Sequence, residues 1–191
     1  MEEGENASGY VVRQISSWFH TAGYKIGNRQ KLQAVLCQLI YQLHEELKEY
    51  GEKKGIRLGT TMTFFLAENR RILWGHTGDS RLYMLRKGKL KQLTRDHTKK
   101  SGGLYQAIGT GGWKPVDMGW RSFKPGDGLL LCTDGFYRGL SWEDLSLCLK
   151  QEFFQESQIG RVLHQMGQRK YGMGEKDNLS AIICKFRGKE R

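Results

Sequence analysis

The feature that most constrains the fold is a run of short strand-like segments between Thr60 and Thr94. Residues with a strong β preference alternate there with tight turns, at Glu68–Arg70 and again at Gly88. Consecutive strands this close together predict an antiparallel meander. A later apolar run, Leu129–Cys132, is long enough only for a buried strand. The middle of the chain is therefore predicted to be an antiparallel β structure.

Helical patterns flank this strand-rich part of the chain. Asn28 is a candidate cap for a long amphipathic helix that we expect to end at Gly51, and Ser141 and Asp144 have capping-box spacing. Helices, then strands, then helices and a last strand give the α+β class rather than alternating βαβ units. Outside the central strands, the sequence predicts helices at 6–22, 28–51, 141–153 and 159–166, and a strand at 179–186.

The size and composition predict a single domain over residues 1–191. The chain has 191 residues, of which 38% are hydrophobic and 27% charged, which suits a globular protein with its own core. No apolar window approaches 18 residues, and the first residues are acidic without an apolar signal segment. The four cysteines have no C-x-x-C spacing. We therefore expect a cytoplasmic protein without a membrane partner.

The formal net charge of +11 raises the question of an anionic partner. The basic residues are dispersed, with short clusters at 86–91 and 99–100. No recognition-helix pattern, zinc finger or aromatic RNA-binding signature accompanies them. Attraction to a phosphorylated protein explains the charge as well as a nucleic acid does. We therefore consider nucleic acid the weaker of the two interpretations.

Two aspartates lie at the ends of predicted strands. Asp134 comes just after Leu129–Cys132 and is followed by Gly135, and Asp177 precedes the last strand and is followed by Asn178. If the two strands are antiparallel neighbours, both carboxylates share one rim, where their repulsion favours a hard cation such as Mg²⁺ or Mn²⁺ between them. The alternative is that both are ordinary turn residues, because Asp-Gly and Asp-Asn pairs are common in turns.

Four sequence blocks appear in an order that resembles the metal-dependent serine/threonine phosphatases of the PPM, or protein phosphatase 2C, type. They are LGTTMTFFL, GHTGDSRLYMLRKGKLKQLTRDH, PGDGLLLCTDG and KDNLSAIICKF. The resemblance implies an antiparallel β-sandwich flanked by helices. It also implies two Mn²⁺ or Mg²⁺ ions, with a third in some members, and a bridging water that attacks phosphoserine or phosphothreonine without a phosphoenzyme.

The resemblance carries over to individual residues. Asp134 and Asp177 match metal-binding aspartates, and Asp96 matches the acid that holds an additional, weaker metal. Asp79 matches an acid that we expect to order its turn, braced by Arg81. Gly135 and Asn178 are expected to shape the turns near the site. No catalytic residue beyond the metal ligands is implied.

Two motifs of the family, N-E-D and D-G-x-G-G, do not occur in the sequence. We therefore expect a fold that lacks the family's first strands, and weakened binding of a pair of ions, because a bridging carboxylate is missing. Three functions stay open. They are a protein serine/threonine phosphatase that opposes a kinase, a non-catalytic phosphatase fold that binds a phosphoprotein or kinase, and an unrelated basic module. A monomer is expected.

Overall fold

The computed structural model describes residues 4–22, 27–149 and 156–187. No helix within these ranges is both long enough and apolar enough to cross a membrane. The described elements are, in chain order, α1 (Gly4–Thr21), α2 (Arg29–Lys54), β1 (Met62–Glu68), β2 (Arg71–Thr77), β3 (Arg81–Arg86), β4 (Lys89–Gln92), β5 (Asp117–Ser122), β6 (Gly128–Cys132), α3 (Asp134–Tyr137), α4 (Trp142–Leu147), α5 (Glu156–Gly172) and β7 (Ala181–Lys185).

The strands form two antiparallel sheets, which together with the helices confirm the predicted α+β class. One sheet has the order β1-β2-β5 and the other the order β4-β3-β6-β7. The predicted continuous meander is wrong, because the chain leaves the first sheet after β2 and enters the second at β3. Gly78, at φ 110°, lies in this passage. Strand β5 was not predicted, since its sequence DMGWRS lacks a clear alternation of apolar residues.

The chain divides into two compact units. Unit 1 comprises Met1–Met62, Leu73–Gly78 and His97–Gly119. Unit 2 comprises Thr63–Ile72, Asp79–Asp96 and Trp120–Arg191. The prediction of one domain over residues 1–191 stays a prediction.

In unit 1, helix α2 begins at its predicted cap but continues beyond its predicted end. The Asn28 side chain accepts a hydrogen bond from the Lys31 backbone N–H, and Gly55 ends the helix at φ 67°. Gly51 is instead buried inside the helix, where an added Cβ would lie 2.9 Å from the Ile56 carbonyl oxygen. This glycine therefore permits a close approach of the following chain rather than ending the helix.

In unit 2, one hydrophobic core joins the four-stranded sheet to the helices that follow it. Helix α4 begins with the predicted capping box, in which Ser141 and Asp144 exchange hydrogen bonds, but it ends at Leu147. The end of the predicted helix, 150–153, lies outside the described residues. Burial of these apolar side chains fixes α3, α4 and α5 against β3 and β6. The buried members of the core are Tyr83, Leu85, Leu130, Cys132, Phe136, Tyr137, Leu145, Cys148, Leu149, Val162 and Met166.

The register of the four-stranded sheet decides which loops meet. Arg81 at the start of β3 is opposite Cys132 at the end of β6, and Cys132 is opposite Ala181 at the start of β7. Strand β4 ends beside the same part of β3, where Tyr83 is opposite Gln92. One edge of this sheet therefore receives the loops before β3, after β4, after β6 and before β7.

Candidate metal centre

All four sequence-predicted aspartates lie in the segments of unit 2 that enter or leave the sheet at this edge, with Asp134 at the start of α3. Asp79 is two residues before β3, Asp96 is four residues after β4, Asp134 is two residues after β6, and Asp177 is four residues before β7. We call these four residues the carboxylate edge. Strands β6 and β7 are antiparallel neighbours, which is the condition under which the two carboxylates were expected to share a rim, and the alignment of their ends brings the Asp134 and Asp177 loops together.

The loops of Asp134 and Asp177 are tied together by hydrogen bonds between Thr133 and Ser180. The Thr133 N–H donates to the Ser180 carbonyl oxygen at 3.0 Å, and the Ser180 N–H donates to Thr133 Oγ1 at 3.1 Å. At Gly135, an added Cβ would lie 2.6 Å from the Asn178 carbonyl oxygen and 3.2 Å from Asp177 Cβ. Only glycine allows the two loops to approach this closely.

The Asp177 loop has an organiser that the sequence reasoning missed, Glu175. Its Oε1 accepts hydrogen bonds from the backbone N–H groups of Lys176 and Asp177, both at 3.0 Å. The Asp177 hydrogen bond lowers the pKa of Glu175, and Lys170 lowers it further. Asn178, which was expected to shape this turn, contacts Asp177 through its backbone N–H, which donates to Asp177 Oδ1 at 2.8 Å.

A buried lysine links this loop to the one after β6. The side chain of Lys170 on α5 is 4% exposed, and its Nζ lies 3.0 Å from Glu175 Oε2. The same Nζ donates to the carbonyl oxygen of Arg138. Lys170 therefore fixes Glu175 and Arg138 relative to each other. Its place near the end of a long helix gave no sequence signal of this role.

Arg138 is the second residue that sequence reasoning missed. It lies four residues after Asp134, and its Nη2 is 2.9 Å from Asp134 Oδ2 and 3.7 Å from Asp79 Oδ2. Burial raises the pKa of Asp79, the nearby Asp134 carboxylate raises it further, and Arg138 opposes both effects. A positive charge therefore lies between two acids that would otherwise repel each other.

Asp96 has a different environment at the same edge. Arg81 donates from Nε and Nη2 to both carboxylate oxygens of Asp96, at 2.7 to 3.1 Å, and Gln92 Nε2 lies 3.1 Å from Oδ1. The guanidinium of Arg81 also lies 3.6 Å from the centre of the Tyr137 ring. The expectation that Arg81 braces Asp79 is therefore wrong. The turn of Asp79 is held instead by the Tyr137 hydroxyl, which donates to the Asp79 carbonyl oxygen at 3.1 Å.

The chemistry of the carboxylate edge suits a hard divalent cation. Asp79, Asp134 and Asp177 offer carboxylate oxygens, the donors that Mg²⁺ and Mn²⁺ prefer, and Arg138 already supplies positive charge to two of them. Within the described ranges, no three His, Cys, Asp or Glu side chains are arranged to hold a metal ion as they stand. A cation here would therefore complete its coordination with water, as Mg²⁺ commonly does.

In unit 1, a histidine–aspartate pair stabilises a turn of the backbone. His97 is 3% exposed, its Nδ1 accepts from the Gly78 N–H at 3.2 Å, and its Nε2 lies 3.2 Å from Asp117 Oδ2. Its backbone N–H also donates to the Gly78 carbonyl oxygen at 2.7 Å. His97 therefore secures the glycine turn after β2.

Comparison with known families agrees with this geometry. Residues 4–180 match the family model described as Protein phosphatase 2C. The chain belongs to the protein phosphatase 2C family. The serine/threonine phosphatase stp of Listeria monocytogenes is 26% identical over 171 residues, which span 78% of this chain and 67% of that protein. The serine/threonine protein phosphatase PstP of Mycobacterium tuberculosis is 27% identical over 145 residues, or 66% of this chain and 27% of that protein.

Solved structures share the fold of this phosphatase 2C chain. A crystal structure of Mycobacterium tuberculosis PstP/Ppp superposes with a TM-score of 0.79 at 24% identity, covering 96% of this chain and 83% of that one. A bacterial serine phosphatase reaches a TM-score of 0.81 at 21% identity, with 98% and 82% covered. The catalytic domain of PstP in complex with two manganese ions has a TM-score of 0.78 at 24% identity, with 96% and 82% covered.

Proposed function

We propose that this chain is a protein serine/threonine phosphatase that hydrolyses phosphoserine and phosphothreonine with the help of Mn²⁺ or Mg²⁺. Its membership of the phosphatase 2C family and its relatives named serine/threonine phosphatase support this function. The single observation that carries the proposal is the register of β3, β6 and β7, which gathers acids from three separate loops at one edge. Phosphorylated proteins are the corresponding substrates.

Asp134 and Asp177 are the residues that we propose to hold the cation. Divalent manganese or magnesium is the cofactor of the family, and when bound it lowers the pKa of an attacking water and neutralises charge on phosphoryl oxygens. Gly135 keeps the two acidic loops in contact, and Glu175 sets the backbone of the Asp177 loop. The additional role of Asp96 as a weaker ligand stays a prediction.

Arg138 would compete with such a cation for Asp134. Its Nη2 contacts Asp134 through one short N···O distance, and its side chain is 59% exposed, so it can move into solvent at little cost. A cation that binds Asp134 must displace this guanidinium or accept its repulsion. Arg138 thereby sets how strongly the carboxylate edge attracts a metal.

A non-catalytic phosphatase fold that binds a phosphoprotein or kinase is the second candidate function, and the named relatives do not favour it. The observation that favours this second function is the ion pairing of Asp96 and Asp134 with arginines. A partner kinase of serine/threonine type, a monomeric state and a cytoplasmic setting belong to the phosphatase proposal as well.

The test is phosphate release from a phosphothreonine peptide and from its phosphotyrosine counterpart, with Mn²⁺, with Mg²⁺ and with a chelator. We expect hydrolysis of the phosphothreonine peptide that the chelator abolishes. Asp177→Asn should remove this activity, whereas Glu143→Gln, which changes an exposed carboxylate on α4, should retain it. Binding of the phosphopeptide without turnover under every metal condition would favour the non-catalytic fold.

A further inference from the structure

A basic groove runs along β4 of the four-stranded sheet, from Leu93 to the β3–β4 hairpin at the end opposite the carboxylate edge. It has a volume of about 440 Å³ and is bounded by the β3–β4 hairpin and the end of β5. Its apolar lining consists of Met84 and Leu93. The other lining residues are all cationic, namely Arg86, Lys87, Lys89, Lys91 and Arg121, and we call these seven residues the basic groove.

The strand geometry fixes the lysines on the groove side. Lys89 and Lys91 alternate along β4 with Leu90, so that both lysines are exposed while Leu90 packs against the core of unit 2. Lys87 lies in the two-residue turn with Gly88, at φ values of 49° and 74°. Such turns favour Asn, Asp or Gly at the first of these positions. A lysine there places one more charge at the groove despite an unfavourable backbone conformation.

The charges of the groove are mostly unneutralised. Arg86 is the exception, because its Nη2 lies 2.6 Å from Oδ2 of the buried Asp127 and donates to the Ser122 carbonyl oxygen. Among the described residues, no carboxylate forms a salt bridge with the remaining four cations, which are Lys87, Lys89, Lys91 and Arg121. Like charges this close repel one another, and an anionic occupant would relieve that repulsion.

The lining favours an acidic polypeptide over a nucleic acid. Met84 and Leu93 give an apolar base that can receive an aliphatic side chain between two acidic ones. The groove has no aromatic ring on its lining, whereas proteins that bind single-stranded nucleic acids typically stack bases on aromatic side chains.

The groove is distinct from the place where the phosphate would react. Arg81 and Arg86 are the two ends of β3, five residues apart, which corresponds to about 17 Å along the strand. Arg81 forms an ion pair with Asp96 of the carboxylate edge, and Arg86 lines the groove. An extended substrate needs about five residues to span this distance.

We propose that the basic groove is a docking site for an acidic segment of the phosphoprotein substrate, several residues away from its phosphorylated residue. This inference rests on the proposed phosphatase function for the identity of the occupant. Docking here would lower the KM for substrates that carry such a segment, while small phosphate esters would not benefit.

Direct binding tests the groove without relying on catalysis. The probe is a fluorescein-labelled, unphosphorylated peptide of eight residues that alternates Glu or Asp with Leu, and its neutral counterpart has Gln and Asn at the acidic positions. The triple variant Lys87→Glu, Lys89→Glu, Lys91→Glu reverses the charge of three lysines in the groove. The matched control, Arg57→Glu, Lys99→Glu, Lys100→Glu, makes the same change in net charge at exposed positions of unit 1.

We expect fluorescence anisotropy at low salt to show that the wild type binds the acidic peptide and not the neutral one. The groove variant should bind it at least about tenfold more weakly, and the control variant within about twofold of the wild type. Equal losses in both triple variants, or no binding by the wild type, would overturn the proposal. So would tighter groove-dependent binding of a single-stranded oligonucleotide than of the peptide.

Two further measurements keep the test decisive. If the charge-reversed variant does not fold, as judged by circular dichroism, Lys87→Gln, Lys89→Gln, Lys91→Gln takes its place with the same expected direction. Mn²⁺-dependent hydrolysis of para-nitrophenyl phosphate should be equal in wild type and both groove variants. Groove-dependent peptide binding in a protein inert towards this ester would contradict the phosphatase proposal while supporting the acidic-segment site.

Discussion

Two aspartate–arginine pairs at the same sheet edge have very different geometries. Arg81 grips both oxygens of Asp96, lies over the Tyr137 ring and donates to the Tyr83 hydroxyl, and its side chain is 27% exposed. Arg138 reaches Asp134 through one short contact and is 59% exposed. A forked, stacked arginine is committed to the fold, whereas a solvated one can be exchanged for another cation. The carboxylate of Asp134 is therefore more available to a cation than that of Asp96.

The largest expected effect of this difference is on turnover. Asp134→Asn should reduce Mn²⁺-dependent hydrolysis of a phosphothreonine peptide by about a hundredfold or more, because it removes a carboxylate proposed to hold the cation. Asp96→Asn should reduce it less. Phosphate release under single-turnover conditions gives both values. Equal losses would show that the two acids serve the cation alike, and the contrast between them would fail.

The free energy of unfolding should show the opposite order, with a larger loss at the Asp96–Arg81 pair than at the Asp134–Arg138 pair. Arg81→Ala leaves Asp96 without its guanidinium and removes the contact with Tyr137, so we expect the free energy of unfolding to fall by about 2 kcal/mol. Arg138→Ala should change it by less than about 1 kcal/mol. Urea denaturation followed by tryptophan fluorescence measures both. Arg81→Lys, which retains the charge but not the fork, should be intermediate.

The metal affinity should reveal the competition at Asp134. Arg138→Met removes a positive charge about one ion-pair distance from the proposed ligand, and we expect Mn²⁺ to bind about tenfold more tightly. Arg138→Lys should bind Mn²⁺ like the wild type. Isothermal titration calorimetry distinguishes these outcomes, and weaker binding by the methionine variant would mean that Arg138 supports the cation instead of opposing it.

The smallest effect on stability is expected at a third aspartate–arginine pair, Asp144 and Arg169. This effect should depend on pH. The pKa of Asp144 is lowered, chiefly by the backbone N–H of Ser141 and further by Arg169. A lowered pKa means that the stabilisation is present above the ordinary value of 3.8 and is lost as the pH falls through the folded-state value.

The difference in thermal midpoint between wild type and Asp144→Asn should therefore be constant from pH 7 to about pH 5 and shrink below about pH 4. Arg169→Gln should give a smaller difference that behaves in the same way. A difference that persists undiminished to pH 3 would show that Asp144 stabilises the protein through contacts other than its ionised hydrogen bonds.

The meeting of the Asp134 and Asp177 loops was predictable only on the condition that β6 and β7 are antiparallel neighbours, because the end of one strand then lies beside the start of the other. The contact of Arg138 with Asp134 was not predictable, because the sequence Thr-Asp-Gly suggested a turn. In the structure, the helical turn Asp134–Tyr137 places residue 138 one helical turn after the acid. The partner of Arg81 was misjudged for a related reason. Asp79 is nearer in sequence, but the return of β4 beside β3 brings Asp96 closer in space.

Alternation of apolar residues could likewise indicate strands without naming their partners. The pattern from Thr60 to Thr94 predicted strands correctly in type, yet nothing in it shows that β2 and β3 belong to different sheets. Glu175 and Lys170 escaped prediction because their interaction joins the end of a helix to a loop five residues later. Such contacts depend on tertiary packing rather than on local pattern.

Paramagnetic broadening of backbone amide signals by Mn²⁺ tests the central claim most directly, because it locates the cation. If the carboxylate edge holds the ion, substoichiometric Mn²⁺ should broaden the amides of Gly135 and Asn178 strongly and leave that of Gly88, at the far end of the sheet, nearly unchanged. Asp134→Asn should abolish this selective broadening. Broadening centred near Gly88, or unchanged broadening in the variant, would contradict the proposed metal site.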